Sequence, residues 1–134
     1  MVIIETKPQK KRRSYKTNES KTQAQCVRWF HNTYPEFRGL FFHVSNENHR
    51  WDSNVRQGAI RKALGVVAGV SDLICLIPRG TSGALLIEMK DENGKQSPSQ
   101  KEWQKLVEAQ GYKYFVCRSL EQFQEIVENY LKEK

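Results

Sequence analysis

The pattern of apolar and polar positions predicts that a β-hairpin lies at the centre of the fold. Two aliphatic, largely β-branched segments, residues 74–77 and 84–89, flank the turn-forming residues 78–83. Short apolar runs on either side of such a turn are typical of two antiparallel strands. The hairpin also carries three charged residues, Asp72, Glu88 and Lys90, which a purely structural hairpin does not require.

The remaining apolar residues predict four helices and two further strands. Spacings of three and four indicate helices at residues 18–33, from residue 52 or 53 to about 64, between 97 and 111, and from 119 onwards. Alternation predicts strands at residues 40–45 and 112–117, and the first should pair with the hairpin. The order α-β-α-β-β-α-β-α is typical of an α/β fold with a mixed central β-sheet flanked by helices.

For the second and third helices, the spacing predicts the following inward faces. The second helix is expected to turn Val55, Ala59, Ile60 and Ala63 towards the core. In the third helix, the expected apolar stripe consists of Trp103, Leu106 and Val107.

The positive charge is concentrated at the N-terminus. The 134-residue chain has a formal net charge of +7, and six basic residues against Glu5 precede residue 19. We therefore expect residues 1–17 to form a basic flexible arm and residues 18–134 to form one domain. The arm could grip phosphates through Lys10, Lys11, Arg12 and Arg13, or it could be a solubilising tail.

Composition also bears on the compartment. The chain has no run near the roughly 20 apolar residues of a membrane span and no apolar signal segment after its basic N-terminus. We expect a protein of the bacterial cytoplasm or of an infected host cell. Cys26, Cys75 and Cys117 are odd in number, far apart and set among apolar neighbours, which favours buried free thiols.

Asp72, Glu88 and Lys90 are candidates for metal chemistry. A turn centred on Thr81 would pair Asp72 with Lys90, and a turn centred on Gly80 would pair Asp72 with Glu88. In either register the three side chains meet, and two carboxylates beside an ammonium can bind a hard divalent cation. The alternative is an edge strand whose charges discourage aggregation.

Together these motifs resemble a known family. Gly65, Gly69 and Asp72, then Glu88-Met89-Lys90, then Ser97 and Gln100 ahead of Trp103 are similar to the VRR-NUC (virus-type replication-repair nuclease) branch of the PD-(D/E)XK nuclease superfamily. The similarity spans roughly residues 19–131. Ser71 stands where the family pattern usually has proline.

The resemblance implies a Mg²⁺- or Mn²⁺-dependent endodeoxyribonuclease of phage or viral replication and repair. Small members of the family act as homodimers on branched DNA such as four-way junctions. By resemblance, Asp72, Glu88 and the backbone carbonyl of Met89 would hold the metal, while Lys90 would position or activate the attacking water. The competing hypotheses are a nucleic-acid-binding module that retains the fold without catalysis, and a structural subunit or inhibitor.

Two further site residues follow from the resemblance, and each has a local alternative. Glu19 would be the acidic residue that the first helix contributes, accompanied by Gln23 or Gln25, but it could equally complement the helix dipole. Gln100 would lie against the metal and substrate, but a capping box also explains it.

Basic and polar residues ahead of Asp72 are candidates for nucleic-acid contacts. Asn46 begins a segment that resembles the family's Asn-Glu motif after the first strand. The other candidates could contact phosphate or form an ordinary solvated face; they are His49, Arg50, Arg56, Arg61 and Lys62. The three histidines, His31, His43 and His49, do not have the spacing of zinc ligands.

Overall fold

The computed structural model describes residues 17–45 and 55–134, and this part of the chain forms a mixed sheet flanked by helices. The elements are α1 (Asn18–Thr33), β1 (Phe41–His43), α2 (Val55–Ala63), β2 (Leu73–Cys75), β3 (Leu85–Met89), α3 (Pro98–Ala109), β4 (Lys113–Cys117) and α4 (Leu120–Lys132). A short 3-10 helix, Pro35–Phe37, connects α1 to β1. The predicted fold class is confirmed.

The sheet has the strand order β1-β2-β3-β4, in which β3 lies between β2 and β4. The β1–β2 and β2–β3 pairs are antiparallel, and the β3–β4 pair is parallel. All five residues of β3 are buried. Since β3 has a partner on each side, the alternative of a charged edge strand is wrong.

The register of the hairpin decides which charged residues meet. Leu73 pairs with Ile87, and Cys75 pairs with Leu85. Continuing this register by one position places Asp72 opposite Glu88, as expected for a turn centred on Gly80 rather than on Thr81. Gly80 has a φ of 56°, a left-handed conformation that glycine adopts without strain.

Apolar residues cover both faces of the sheet. On one face α1 and α4 pack over β1, β2 and β3, with Phe30, Phe41 and Phe123 at the centre of this cluster. On the other face, Trp103 of α3 packs with Leu86 and Tyr114. Alternation along β3 puts Glu88 on the same face as Leu86, towards α3. All three cysteines are buried free thiols, as predicted.

The predicted inward face of α2 is wrong, and that of α3 is wrong at one of its three residues. In α2, Ala59 and Ala63 are exposed and Ile60 is 45% exposed; the side chain of Val55 lies outside the description. In α3, Leu106 is 58% exposed, although Trp103 and Val107 pack as expected. Periodicity identifies an amphipathic helix, but it does not reveal whether the rest of the chain covers the apolar stripe.

The structure leaves some predictions outside its range. No helix in residues 17–45 or 55–134 is both long and apolar enough to span a membrane. Residues 1–16 of the proposed arm fall outside the described residues, whereas Thr17 is the N-cap of α1. Seven candidate nucleic-acid contacts also fall outside: Lys10, Lys11, Arg12, Arg13, Asn46, His49 and Arg50. Their roles stay predictions.

Candidate active site

A tight turn at Gly69 leads into the loop that positions Asp72. Gly69 has a φ of 84°, and a Cβ atom built there would lie 2.2 Å from the backbone oxygen of Ser99. Only glycine fits so close to the start of α3. Ser71, two residues later, is buried, and its hydroxyl donates a hydrogen bond to the Leu73 carbonyl at 3.2 Å. Serine therefore supports the turn locally where the family pattern usually has proline.

Asp72 is held at both its side chain and its backbone. Its Oδ2 accepts a hydrogen bond from the Met89 N–H at 2.7 Å. Its carbonyl oxygen accepts another from the Val44 N–H at 2.8 Å and lies 2.7 Å from Nδ1 of His43. One contact therefore holds the carboxylate, and two hold the backbone of Asp72 against β1 and the residue that follows it.

Glu88 is the most unusual charged residue of the described chain. It is 2% exposed, and its Oε1 accepts a hydrogen bond from Gln100 Nε2 at 2.8 Å and lies 3.8 Å from Lys90 Nζ. Its Oε2 is buried and has no hydrogen-bond partner. Burial, and next the negative charge of Asp72, raises the pKa of Glu88 to about 8.

Gln100 completes the capping box of α3 and also contacts Glu88, while its role against metal and substrate stays a prediction. Its Oε1 accepts from the Ser97 N–H at 2.8 Å, while the Ser97 hydroxyl accepts from the Gln100 N–H, so the capping box of α3 is complete. Its Nε2 remains available and donates to Glu88. The helix cap thus orients the amide that holds the buried carboxylate.

Glu19, in the first turn of α1, lies on the same side of the molecule as Asp72. The two residues line one cleft, together with Gln23. The pKa of Glu19 is raised by partial burial and then by the negative charge of Asp72. Gln25 is exposed and does not line this cleft, so the amide that accompanies Glu19 is Gln23.

Asp72 and Glu88 fit a hard divalent cation. Among the described residues, no three His, Cys, Asp or Glu side chains lie close enough to hold a metal ion by themselves. Mg²⁺ does not need three, because it keeps several waters and binds proteins through one or two carboxylates. The buried, unpaired Oε2 of Glu88 is an oxygen that a cation would satisfy. The Met89 carbonyl stays a predicted further ligand.

Not every predicted site residue reaches this region. Arg56, Arg61 and Lys62 lie on α2, and none of them lines the cleft that contains Glu19 and Asp72. His43, in contrast, was considered only as a zinc ligand, yet it lines that cleft and contacts the Asp72 carbonyl. Only the pairing of β1 with β2 reveals this role, because the two residues are 29 positions apart.

Comparison with known proteins agrees with the geometry. The family model of the VRR-NUC domain matches residues 9–121. A solved structure described as a VRR-NUC domain protein has 27% identity and a TM-score of 0.71, with 88% of this chain and 91% of that chain covered. A second, described as a VRR-NUC domain, shares the fold at 23% identity and a TM-score of 0.50, covering 81% of this chain and 97% of that one. No curated protein matches the sequence. With most of its length matched by the family model, the chain belongs to the VRR-NUC family of nuclease domains.

Proposed function

We propose that this VRR-NUC domain is a Mg²⁺- or Mn²⁺-dependent endonuclease that hydrolyses phosphodiester bonds in DNA. The observation that carries the proposal is Glu88, a buried carboxylate with one unpaired oxygen, placed opposite Asp72 and beside Lys90. When both carboxyl groups are ionised, they repel a phosphate backbone unless a cation lies between them.

Each residue has a role that follows from its contacts. Asp72 and Glu88 would hold the cation, which when bound stabilises negative charge on the phosphate and lowers the pKa of a bound water. The Met89 N–H and the Gln100 amide hold the two carboxylates in place. The Lys90 ammonium, 14% exposed and 3.8 Å from Glu88, would orient the attacking water or stabilise charge that develops on the phosphate.

The decisive experiment measures cleavage and metal binding in the same set of variants. Asp72→Ala and Glu88→Ala should lose both cleavage and metal affinity, whereas Lys90→Ala should lose mainly turnover, by roughly 10²-fold or more. Lys95→Ala, an exposed lysine outside the site, is the matched control for Lys90. Labelled linear, branched and single-stranded DNA would be incubated with Mg²⁺, Mn²⁺ or EDTA. Full activity of Asp72→Ala would contradict the assignment, and binding without cleavage in either metal would favour a non-catalytic module.

The finer substrate proposal is a homodimer that cuts branched DNA such as four-way junctions. It is supported by the family resemblance and by the lack of any base-reading motif, since contacts to phosphate carry no sequence information. A symmetric dimer would present two sites to two strands. Sedimentation of the active protein tests this proposal. A monomer that still cleaves junctions symmetrically would contradict it.

A further inference from the structure

A cleft of about 460 Å³ lies beside the candidate active site. Its walls include Glu19 and Arg28 of α1, His43 of β1, and Asp72 just before β2. This volume is within the range of about 300–1,000 Å³ that is usual for pockets holding small ligands. The cleft therefore offers space for a part of the substrate next to the carboxylates.

The charge of the cleft changes along α1. Glu19 and Arg28 are nine residues apart, so about 13 Å of helix separates them. Between them Ala24 and Val27 contribute an apolar surface. An acidic end that fits a cation, an apolar middle and a basic end suit a ligand that has anionic groups separated by less polar parts.

Arg28 has no partner among the residues that the structure describes. Its side chain is exposed, and it makes no hydrogen bond or ion pair with any residue of the described chain. Two other arginines differ from Arg28, since Arg79 and Arg118 both donate to backbone carbonyls. A free guanidinium presents five donors in a fork that matches a phosphate.

Two further polar side chains line the cleft, His43 of β1 and Gln23 of α1. His43 Nδ1 lies 2.7 Å from the Asp72 carbonyl, so in the neutral ring this nitrogen carries the proton. Gln23 Nε2 lies 3.1 Å from the same Nδ1. Because two donors do not pair, a half-turn of the Gln23 amide would bring its oxygen to this position instead. This arrangement leaves the NH₂ group of Gln23 as a donor and Nε2 of His43 as an acceptor.

We propose that this cleft binds the sugar-phosphate backbone of the cut strand on one side of the scissile phosphate, and that Arg28 binds a neighbouring phosphate. The inference rests on the proposed nuclease function and adds the path of the strand, which leaves the carboxylates along α1. Arg28 is then a substrate-binding residue, although it lies about two and a half turns from Glu19.

A matched pair of variants on one helix tests the role of Arg28. Arg28→Gln and Lys21→Gln remove the same charge from exposed positions of α1, but Lys21 does not line the cleft. Both would be made in the full chain in a Glu88→Gln background, so that binding to a synthetic four-way DNA junction is measured without cleavage. Arg28→Gln should weaken binding about tenfold and reduce the slope of log affinity against log salt by about 1. Lys21→Gln should change neither quantity by a comparable amount, and Arg28→Lys should keep the slope.

Replacing single phosphates of the DNA by an uncharged linkage identifies the phosphate that Arg28 binds. One methylphosphonate, which has no charge, would be placed at successive linkages of one junction strand. At one position it should weaken binding to the Glu88→Gln protein and to its Lys21→Gln variant, but not to its Arg28→Gln variant, because that contact is already lost. Circular dichroism would confirm that α1 is intact in each variant.

The outcomes separate the two proposals. Equal effects of Arg28→Gln and Lys21→Gln, or no linkage whose effect depends on Arg28, would overturn the strand path while cleavage by the wild-type protein still supports the nuclease. If the wild-type protein neither binds nor cuts DNA, both the nuclease function and the strand path are wrong.

Discussion

Glu88 combines burial with incomplete hydrogen bonding, which is costly for an ionised carboxylate. Without a metal, the fold reduces this cost by favouring the protonated form, and the pKa of Glu88 rises to about 8. A bound cation would reverse this preference by taking the place of the proton. The residue is thus unfavourable for the stability of the metal-free fold and suited to a metal site.

This arrangement predicts how stability depends on pH. Because the pKa of Glu88 is raised from 4.5 in the unfolded chain to about 8 in the fold, its stabilising contribution is complete below pH 4.5 and is lost as the pH rises through about 8. In EDTA, the free energy of unfolding of the wild-type protein should fall relative to that of Glu88→Gln between these values. The difference should change by at most about 1.4 kcal/mol per pH unit. Denaturation in urea at several pH values measures it, and parallel curves for the two proteins would contradict the raised pKa.

At the scale of elements, the N-terminus of α3 connects a helix cap to the site. Ser97 and Gln100 form a capping box, and the same Gln100 side chain holds Glu88. The close approach of Gly69 to the Ser99 carbonyl fixes this helix end against the loop that leads to Asp72. The start of α3 is therefore part of the site's support.

Two cap substitutions separate stability from catalysis. Ser97→Ala removes the side-chain cap and should cost about 1 kcal/mol of stability, with little effect on turnover. Gln100→Ala removes the other half of the capping box and also the donor to Glu88, so it should cost a similar stability and lower the turnover as well. Thermal denaturation and single-turnover cleavage measure the two effects. Equal turnover in both variants would show that Gln100 is only a cap.

At the scale of the whole molecule, the charge is divided between the sheet domain and the N-terminal residues. The formal charge of +7 includes +5 before residue 19, because that segment contains six basic residues and one glutamate. This segment contains no histidine. It suits contact with phosphates and offers little to a metal site.

Deletion of residues 1–16 should therefore weaken binding without changing the chemistry. Up to six phosphate contacts would be lost, and at ~0.9 per contact the slope of log affinity against log salt should flatten by as much as ~5. Cleavage at saturating substrate should persist. Binding of the Glu88→Ala protein to one junction, with and without the arm, measures the slope. An unchanged slope would show that the phosphate contacts are made by other residues, including Arg50, Arg56, Arg61 and Lys62.

The sequence by itself determined the type and order of the elements and the identity of Asp72, Glu88 and Lys90 as the unusual residues. These features depend on local patterns: alternation in strands, helical spacing, and charges within an apolar hairpin. The cap at Ser97 is also local, because it depends on a few neighbouring residues. The close contact that requires glycine at position 69 is not local, because it is made with Ser99, thirty residues further along the chain.

Only the tertiary structure decided which of these residues meet. The Gly80 register placed Asp72 opposite Glu88, and the packing of α1 chose Gln23 over Gln25. It also brought His43 to the Asp72 carbonyl and left Ile60 uncovered. The physical reason is common to these cases: a contact between distant segments, or its absence, depends on how the elements pack, and the periodicity of one segment carries no information about its neighbours in space.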